Sequence, residues 1–203
     1  MPQAEINTYA RVDDLKRKTV DDIKALRAVG YNSIVLGLES GDDEVLKNMN
    51  KGYTSQEILD GCRKLEEGGM DYRIIYLGGL AGRGKGVESA RRTAEVFNQI
   101  HPFYMYLTTV SVLPDTPLYD EMLLGEFKEE TEKERLQEFH ELLKNMKNPI
   151  AVFSETSTVT TPFVAQMPKD KPRILSMLQH AASAITPADE QRFLRARRMQ
   201  TTV

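Results

Sequence analysis

A glycine-rich turn is the first segment of this sequence whose residue types and spacing could do chemistry. The string YLGGLAGRGKGVES occupies residues 76–89, and within it Gly79, Gly84 and Lys85 have the spacing of a nucleotide-binding P-loop. In a P-loop, backbone amides converge on phosphates and the lysine adds positive charge. Gly86, however, stands where a serine or threonine hydroxyl would hold magnesium. The residues favour a turn that lets the backbone approach a bound molecule closely, with nucleotide binding as the alternative.

A second candidate is Glu39, which directly follows an apolar run at residues 33–38. Parallel-sheet enzymes bind ligands at the carboxyl ends of their strands, so polar residues at such positions deserve first inspection. A carboxylate here could accept hydrogen bonds from an ammonium group or from ribose hydroxyls, or it could cap the helix after Gly41. The residues alone leave both readings open. The same rule selects further residues that follow apolar runs, namely Tyr9, Arg11, Ser40, Gly78, Gly79, Ser111 and Asp115.

The remaining reactive side chains predict no catalytic or metal site. Cys62 is spaced with Ile58, Leu59 and Leu65 along one helical face, where cysteine behaves as a small hydrophobic residue. With 1 cysteine, this chain has neither a disulfide framework nor a multi-cysteine metal site of its own. The 3 histidines are scattered and do not have the spacing of metal ligands.

Composition narrows the class of protein. The 203 residues are 40% hydrophobic and 28% charged, which suits one core with an appendage. The sequence has no apolar run of about 20 residues and its first residues do not resemble a signal peptide, so we expect a cytoplasmic protein without a membrane segment. A net charge of -3 argues against a general nucleic-acid surface. We interpret the basic run Arg192, Arg195, Arg197 and Arg198 as a solvated helix face.

Hydrophobic periodicity predicts alternating strands and helices in the first part of the chain. We expect strands near residues 5–9, 33–38, 72–77 and 103–112, with helices between them. Capping boxes at Thr19 and Thr54 mark the starts of two of these helices. Such repeated units imply a parallel sheet, either a (β/α) barrel or a doubly wound open sheet. Periodicity does not separate the two.

Beyond Gly125 the pattern becomes mainly helical. Helices are predicted at residues 118–124, from Thr131, from Asp170 as the capping residue, and from Thr186. A stretch at residues 148–168 is rich in threonine and valine and could hold an extra strand. We therefore divide the chain into residues 1–125 and a mainly helical extension, residues 126–203.

Three strings together resemble the radical S-adenosylmethionine (radical SAM) superfamily. The string GLESGDDEVLKNMNKGYT, residues 37–54, is similar to the fourth strand and following helix of these enzymes. Residues 74–79 match a glycine-ended fifth strand, and VLPDTPLY, residues 112–119, is similar to a string after the sixth. MPKDK, residues 167–171, resembles a motif of one subgroup. The order and spacing also agree over roughly residues 5–180.

The resemblance implies a partial (β/α) TIM-like barrel containing the third to sixth strands of the family's barrel. It implies S-adenosylmethionine as cofactor, which a four-iron four-sulfur cluster would cleave to a 5'-deoxyadenosyl radical. By position, Glu39 and Ser40 would face the ribose or methionyl end, and Gly78 and Gly79 would pass beneath the adenine. Ser111 would border the cofactor, and Arg11 would meet its carboxylate or the substrate.

The sequence departs from the family in one large respect. The CxxxCxxC loop that binds the cluster is missing, together with the first two strands. We therefore expect the C-terminal portion of an iron-sulfur oxidoreductase, inactive alone, whose cluster belongs to a longer parent protein. We expect a small-molecule or otherwise unknown substrate, which the sequence does not identify. The alternatives are a P-loop-like nucleotide-binding protein and a noncatalytic interaction module.

A barrel cut before its third strand predicts a partner. The strand at residues 5–9 would be an unpaired edge of a parallel sheet that is normally buried, and such edges invite pairing. We expect either the missing N-terminal portion of the barrel or a second copy of this chain to pair with this edge.

Overall fold

A single six-stranded sheet organises the molecule. The computed structural model describes residues 6–156 and 158–199, so Glu5, the predicted first strand residue, lies outside the described residues. The strands are β1 (Ile6–Ala10), β2 (Tyr31–Glu39), β3 (Asp71–Gly78), β4 (Tyr104–Thr109), β5 (Ile150–Ser154) and β6 (Phe163–Met167). They lie side by side in chain order. The first five are parallel, and β6 runs antiparallel to β5.

The strand order decides between the two architectures that the sequence left open. In a doubly wound sheet the order reverses at a switch point, whereas each strand of a (β/α) barrel lies beside its predecessor. Here each strand pairs with the one before it, so the sheet is the wall of a partial barrel, as predicted.

Nine helices are assigned within the described residues. They are α1 (Val12–Lys16), α2 (Val20–Ala28), α3 (Asp43–Asn48), α4 (Ser55–Glu67), α5 (Gly86–Phe97), α6 (Pro117–Leu124), α7 (Glu132–Asn145), α8 (Lys171–Ala184) and α9 (Pro187–Arg198). The capping boxes at Thr19 and Thr54 are confirmed. The sequence reading missed α1, which is only 5 residues long.

The two faces of the sheet differ. On β3, Tyr72, Ile74 and Tyr76 are buried beneath helices, and the Tyr76 ring packs edge-on against rings of α5 and α7. Alternate residues point the other way and stay half-buried. We call this second side the inner face; it carries Arg73, Ile75 and Leu77 of β3 and Tyr104, Tyr106 and Thr108 of β4.

The chain beyond Gly125 completes the same sheet. The threonine-rich stretch contains two strands, β5 and β6, and α7 packs on α5 and α8. Asp170 occupies the predicted cap position of α8, but its side chain caps nothing there and instead accepts from the Gln166 amide at 2.8 Å. The division near Gly125 stays a prediction.

One interpretation of the last helix was wrong. Arg197 does not belong to a solvated face, because it is 9% exposed and its Nη2 lies 2.8 Å from the Glu132 carboxylate. Its Nη1 also donates to the Thr109 hydroxyl at 3.0 Å. The sequence of a helix shows which residues are charged. It does not show which charged side chain is buried against a partner of opposite charge. Arg197 thereby fastens α9 to the carboxyl end of β4.

Candidate site at the carboxyl end of the sheet

Glu39 ends β2 in a conformation that side-chain-bearing residues rarely adopt. Its φ is 62°, and the amide of Ser40 donates to the carbonyl of Leu38 at 2.7 Å, which closes a γ-turn around Glu39. The pairing of β2 with β3 shifts register at the same place. A turn of this kind costs on the order of 1–3 kcal/mol and persists where the surroundings enforce it.

The turn directs the Glu39 carboxylate back over the strand. Its Oε1 lies 3.4 Å from the point where a Cβ on Gly37 would be, so the absence of a side chain at Gly37 makes room for it. Its Oε2 forms an ion pair with Lys51 Nζ. Because Gly37 lies in register with Ile75, the carboxylate sits over the inner face of the sheet.

Two further side chains complete this corner. Arg11 donates through Nη2 to the Lys51 carbonyl at 2.8 Å, and its hydrogen bond to Asp13 raises the pKa of the guanidinium. Tyr53 donates its hydroxyl to the Gly37 carbonyl at 2.9 Å. Burial, followed by the Glu39 charge, raises the pKa of Tyr53. We call Arg11, Glu39, Lys51 and Tyr53 the Glu39 rim. It offers the Glu39 Oε1 as an acceptor and the exposed Arg11, which also pairs with Asp13, as a cation for an anionic group.

Ser40 does not share this orientation. Its side chain is 2% exposed, with the hydroxyl 3.3 Å from that of Thr93 on α5 and accepting from the Asp42 amide at 3.1 Å. The hydroxyl predicted to face the cofactor therefore holds the turn against α5 behind the sheet, because the γ-turn at Glu39 sends consecutive side chains in different directions. Only the Ser40 backbone is left for the predicted role.

Gly78 and Gly79 are likewise packed from behind. A Cβ on Gly78 would lie 2.5 Å from the Phe139 ring of α7, and one on Gly79 would lie 3.1 Å from Arg135. The need for glycine at these positions is thus explained by the close approach of α7, which differs from the predicted need for space beneath an adenine ring. Whether the opposite side of this backbone meets a ligand stays a prediction.

The amides of the glycine-rich turn have protein acceptors. Gly79 donates to Glu138 at 2.7 Å and Gly84 to Glu134 at 3.1 Å, while Arg83 and Lys85 donate to carbonyls at 2.8 and 3.1 Å. Carboxylates and backbone carbonyls therefore accept from amides that a P-loop would direct at phosphates. The geometry does not support the nucleotide-binding alternative.

A buried acid pair lies beneath this turn. Glu138 is 1% exposed and accepts from both the Gly79 amide and the Tyr76 hydroxyl, the latter at 2.5 Å. Glu130 lies beside it, where burial and then the Glu138 charge raise the pKa of Glu130 to about 10. Arg135 balances part of this charge and donates to the Val110 carbonyl at 2.8 Å. This cluster ties α7 to the turn.

The carboxyl end of β4 carries hydroxyl groups. On the inner face, Thr108 Oγ1 lies 3.0 Å from the Thr156 hydroxyl and 2.8 Å from that of Thr158. Ser111 follows two residues after β4 and is half-buried. These residues share the sheet edge of the Glu39 rim, since β2, β3 and β4 are parallel neighbours.

Sequence reasoning missed several members of this edge. Lys51 and Tyr53 lie in the string that carried the family resemblance, yet they follow a helix, and nothing in the strand pattern marked them. Thr108 and Tyr106 could have been found from the period-two alternation of β4, which places them on one face.

Comparison with known proteins identifies a family for the first part of the chain. A family model described as the radical SAM superfamily matches residues 6–97, which contain β1 to β3 and the whole Glu39 rim. Residues 6–97 therefore carry the sequence features of the radical SAM superfamily. Among curated proteins, none matches the chain by sequence.

Solved structures support the fold. The archaeal Methanocaldococcus infernus Elp3 with an N-terminal deletion aligns with a TM-score of 0.63 at 15% identity, over 88% of this chain and 41% of its own. The radical SAM enzyme HemN, coproporphyrinogen III oxidase from Escherichia coli, gives 0.54 at 19% identity, over 70% and 31%. Methylornithine synthase (PylB) gives 0.50 at 15% identity, over 94% and 61%. The chain thus spans less than two thirds of each of these structures.

The described residues do not fit an iron-sulfur cluster. Within residues 6–156 and 158–199, no three histidine, cysteine, aspartate or glutamate side chains are grouped as metal ligands. Cys62 is buried in α4, as predicted, and burial raises the pKa of its thiol to about 12, which opposes the thiolate that iron requires.

No helix of the described chain is long and apolar enough to cross a bilayer.

Proposed function

We propose that this radical SAM chain supplies part of the S-adenosylmethionine and substrate site of a cytoplasmic iron-sulfur oxidoreductase, while cluster ligands come from outside the described residues. When bound to a cluster, S-adenosylmethionine is a source of a 5'-deoxyadenosyl radical. The contribution of this chain is to bind and orient that cofactor. The chain alone is expected to be catalytically inactive.

The observation that carries the proposal is the strained Glu39 turn. A carboxylate held at φ 62° over Gly37, with Lys51 bound to one oxygen, is fixed in a single direction over the inner face. Because Lys51 already neutralises Oε2, the Oε1 atom is suited to accept from hydroxyl groups such as those of a ribose. Arg11, whose side chain is 58% exposed, is placed to approach the cofactor carboxylate.

Calorimetric titration of the chain with S-adenosylmethionine tests this role. We expect saturable binding that Glu39→Gln weakens about tenfold, since loss of a hydrogen bond to a charged acceptor is worth roughly 1.5–3 kcal/mol. Glu67→Gln is the matched control, because Glu67 is an exposed residue of α4 remote from β2 in sequence. Binding that is absent, or equal in the wild type and Glu39→Gln, would contradict the proposal.

The same titration with magnesium ATP addresses the alternatives. We expect no binding of ATP, because the amides of the glycine turn donate within the protein. ATP binding that disappears in Lys85→Ala would restore the P-loop reading. Binding of neither S-adenosylmethionine nor ATP, together with capture of a partner protein, would favour an interaction module.

We also propose that another strand pairs with β1. Within the described residues β1 is bonded only to β2, and its Tyr9 side chain is 78% exposed. Free parallel edges recruit strands, and lysine on such an edge discourages pairing. Light scattering at micromolar concentration should show an oligomer, and Tyr9→Lys should reduce the oligomeric fraction. The control Val29→Lys, which changes an exposed residue after α2, should leave that fraction unchanged. A stable wild-type monomer would count against pairing between copies.

A further inference from the structure

The inner face carries an aromatic wall beside the Glu39 rim. The rings of Tyr104 and Tyr106 lie 4.9 Å apart, and Phe153 of β5 lies 6.2 and 6.1 Å from them. All three rings are half-buried, and the Tyr104 and Tyr106 hydroxyls make no hydrogen bond within the described part of the chain. We call these three residues the aromatic wall.

The register of the sheet sets the wall level with Glu39. The Glu39 carboxylate lies over Gly37, and Gly37 is in register with Ile75 of β3. Ile75 is in turn in register with Tyr106 of β4, and Tyr106 with Phe153 of β5. Since neighbouring strands are about 4.8 Å apart, this layer extends roughly 14 Å from Gly37 to Phe153. A molecule against the wall would therefore lie beside one held at the Glu39 rim.

A cation borders the wall one layer closer to the amino ends of the strands. Arg73 is in register with Tyr104, and its guanidinium lies 5.2 Å from the centre of the exposed Phe103 ring. None of the carboxylates in residues 6–156 and 158–199 forms an ion pair with Arg73. Asp71, Arg73 and Phe103 do line one cavity of about 330 Å³. Glu155 also acts on the Tyr104 hydroxyl from the carboxyl end of β5. Arg73 thus has a ring contact but no anionic partner in the part of the chain that the structure describes.

This arrangement differs from ordinary packing of a barrel interior. Interior layers are dominated by branched aliphatic side chains, and charges or hydroxyls buried among them are paired. Here three rings, two hydroxyls and one cation share a single open face, and neither the hydroxyls nor the cation has a hydrogen-bond or ion-pair partner among the described residues. Rings and an arginine are the groups that bind planar and anionic molecules.

We propose that the aromatic wall and Arg73 form the substrate subsite, which takes a planar aromatic or conjugated molecule bearing a carboxylate or similar anion. The ring would stack on Tyr106 and Phe153, and the anion would pair with Arg73. The assignment of this ligand as substrate rests on the proposed function, whereas the binding itself does not.

Ligand-observed NMR with model compounds tests the subsite. The probes are 2-naphthoate, its neutral analogue 2-naphthamide and the nonaromatic anion cyclohexanecarboxylate. We expect 2-naphthoate to bind at least about tenfold more tightly than either analogue, because only it uses both the rings and the cation. Phe153→Leu should weaken both naphthyl compounds several-fold.

Variants at Arg73 separate the charge from the fold. Arg73→Met should abolish the preference for 2-naphthoate over 2-naphthamide, and Arg73→Lys should retain much of it. Arg63→Met, on a side chain of α4 that is 62% exposed, is the control and should change nothing. Absence of saturable 2-naphthoate binding, or a preference that survives Arg73→Met, would overturn the proposal. Glu39→Gln should leave 2-naphthoate binding intact, so failure of the cofactor site would be seen separately.

Discussion

Two acidic clusters lie at the same edge of the sheet and are built for opposite purposes. At the end of β2, Glu39 lies over the inner face on a strained turn, with Lys51 as its ion-pair partner. After β3, Glu138 and Glu130 are buried behind the sheet, and Glu138 accepts from the Tyr76 hydroxyl and the Gly79 amide. In the first cluster, the Glu39 side chain keeps 24% of its surface exposed. The second fastens a helix to a turn.

The contrast shows how to interpret polar residues at strand ends. Position alone assigned Glu39 and the glycine turn to the same ligand, because both follow parallel strands. The difference emerges only when the partners of each atom are counted. Amides and carboxylates that already satisfy one another stabilise the fold, whereas a residue held in a costly conformation without a structural need is a candidate for function.

The largest effect is expected from breaking the buried cluster. Glu138→Ala would leave the Gly79 amide and Tyr76 hydroxyl without their acceptor and Arg135 with less compensating charge. Removing one member of such a buried network costs roughly 3–5 kcal/mol. Urea unfolding followed by circular dichroism should show this loss, with Glu67→Ala, at an exposed site, as the control. A change below about 1 kcal/mol would show that the cluster does not hold the turn.

A second effect, which depends on pH, is expected at Glu130. Burial and the adjacent Glu138 raise its pKa from 4.5 to about 10, so between these values the folded protein keeps a proton that the unfolded chain releases. Stability is therefore fully present below pH 4.5 and falls as pH rises towards 10, by at most about 1.4 kcal/mol per unit. Arg135 and Glu134 also act on this group.

Glu130→Gln should remove that dependence. The amide neither gains nor loses a proton, so the unfolding free energy of the variant should decline less than that of the wild type between pH 5 and 9, a range chosen to lie roughly within the titration window. Urea unfolding at several pH values measures both curves. Parallel curves would mean that Glu130 is ionised in the folded protein at neutral pH.

The sequence predicted more of the fold than of the site. Strands, capping boxes and the parallel arrangement follow from local periodicity, which residues such as Thr19 and Thr54 report directly. The inward turn of Arg197, the direction of Ser40 and the packing of Gly78 against Phe139 depend on partners 50 or more residues away, such as Glu132 and Thr93. No local pattern encodes such pairings. The Glu39 rim was only half found, because Lys51 and Tyr53 reach it from the loop after α3 and not from the end of a strand.

Substitutions at Glu39 sharpen the comparison by separating backbone strain from charge. Both Glu39→Ala and Glu39→Gly remove the ion pair with Lys51, but only glycine adopts φ 62° without steric cost. Glu39→Gly should therefore be more stable than Glu39→Ala by about 1 kcal/mol. Thermal unfolding of the two variants makes the measurement. At an ordinary strand position the order is reversed, so alanine being the more stable would show that the turn is not strained.

The smallest effect is expected at Lys85. Its substitution tests whether the glycine turn takes part in cofactor binding together with the Glu39 cluster. Lys85 is exposed at the N-cap of α5, where its side chain caps nothing and its charge faces the positive end of the helix. Lys85→Ala should stabilise the protein by a few tenths of a kcal/mol at low salt and leave S-adenosylmethionine binding unchanged. Unfolding curves at low and high salt, together with calorimetry, measure both. Weaker cofactor binding in Lys85→Ala would mean that the glycine turn also faces the ligand, and the division between a binding edge at β2 and a structural edge at β3 would fail.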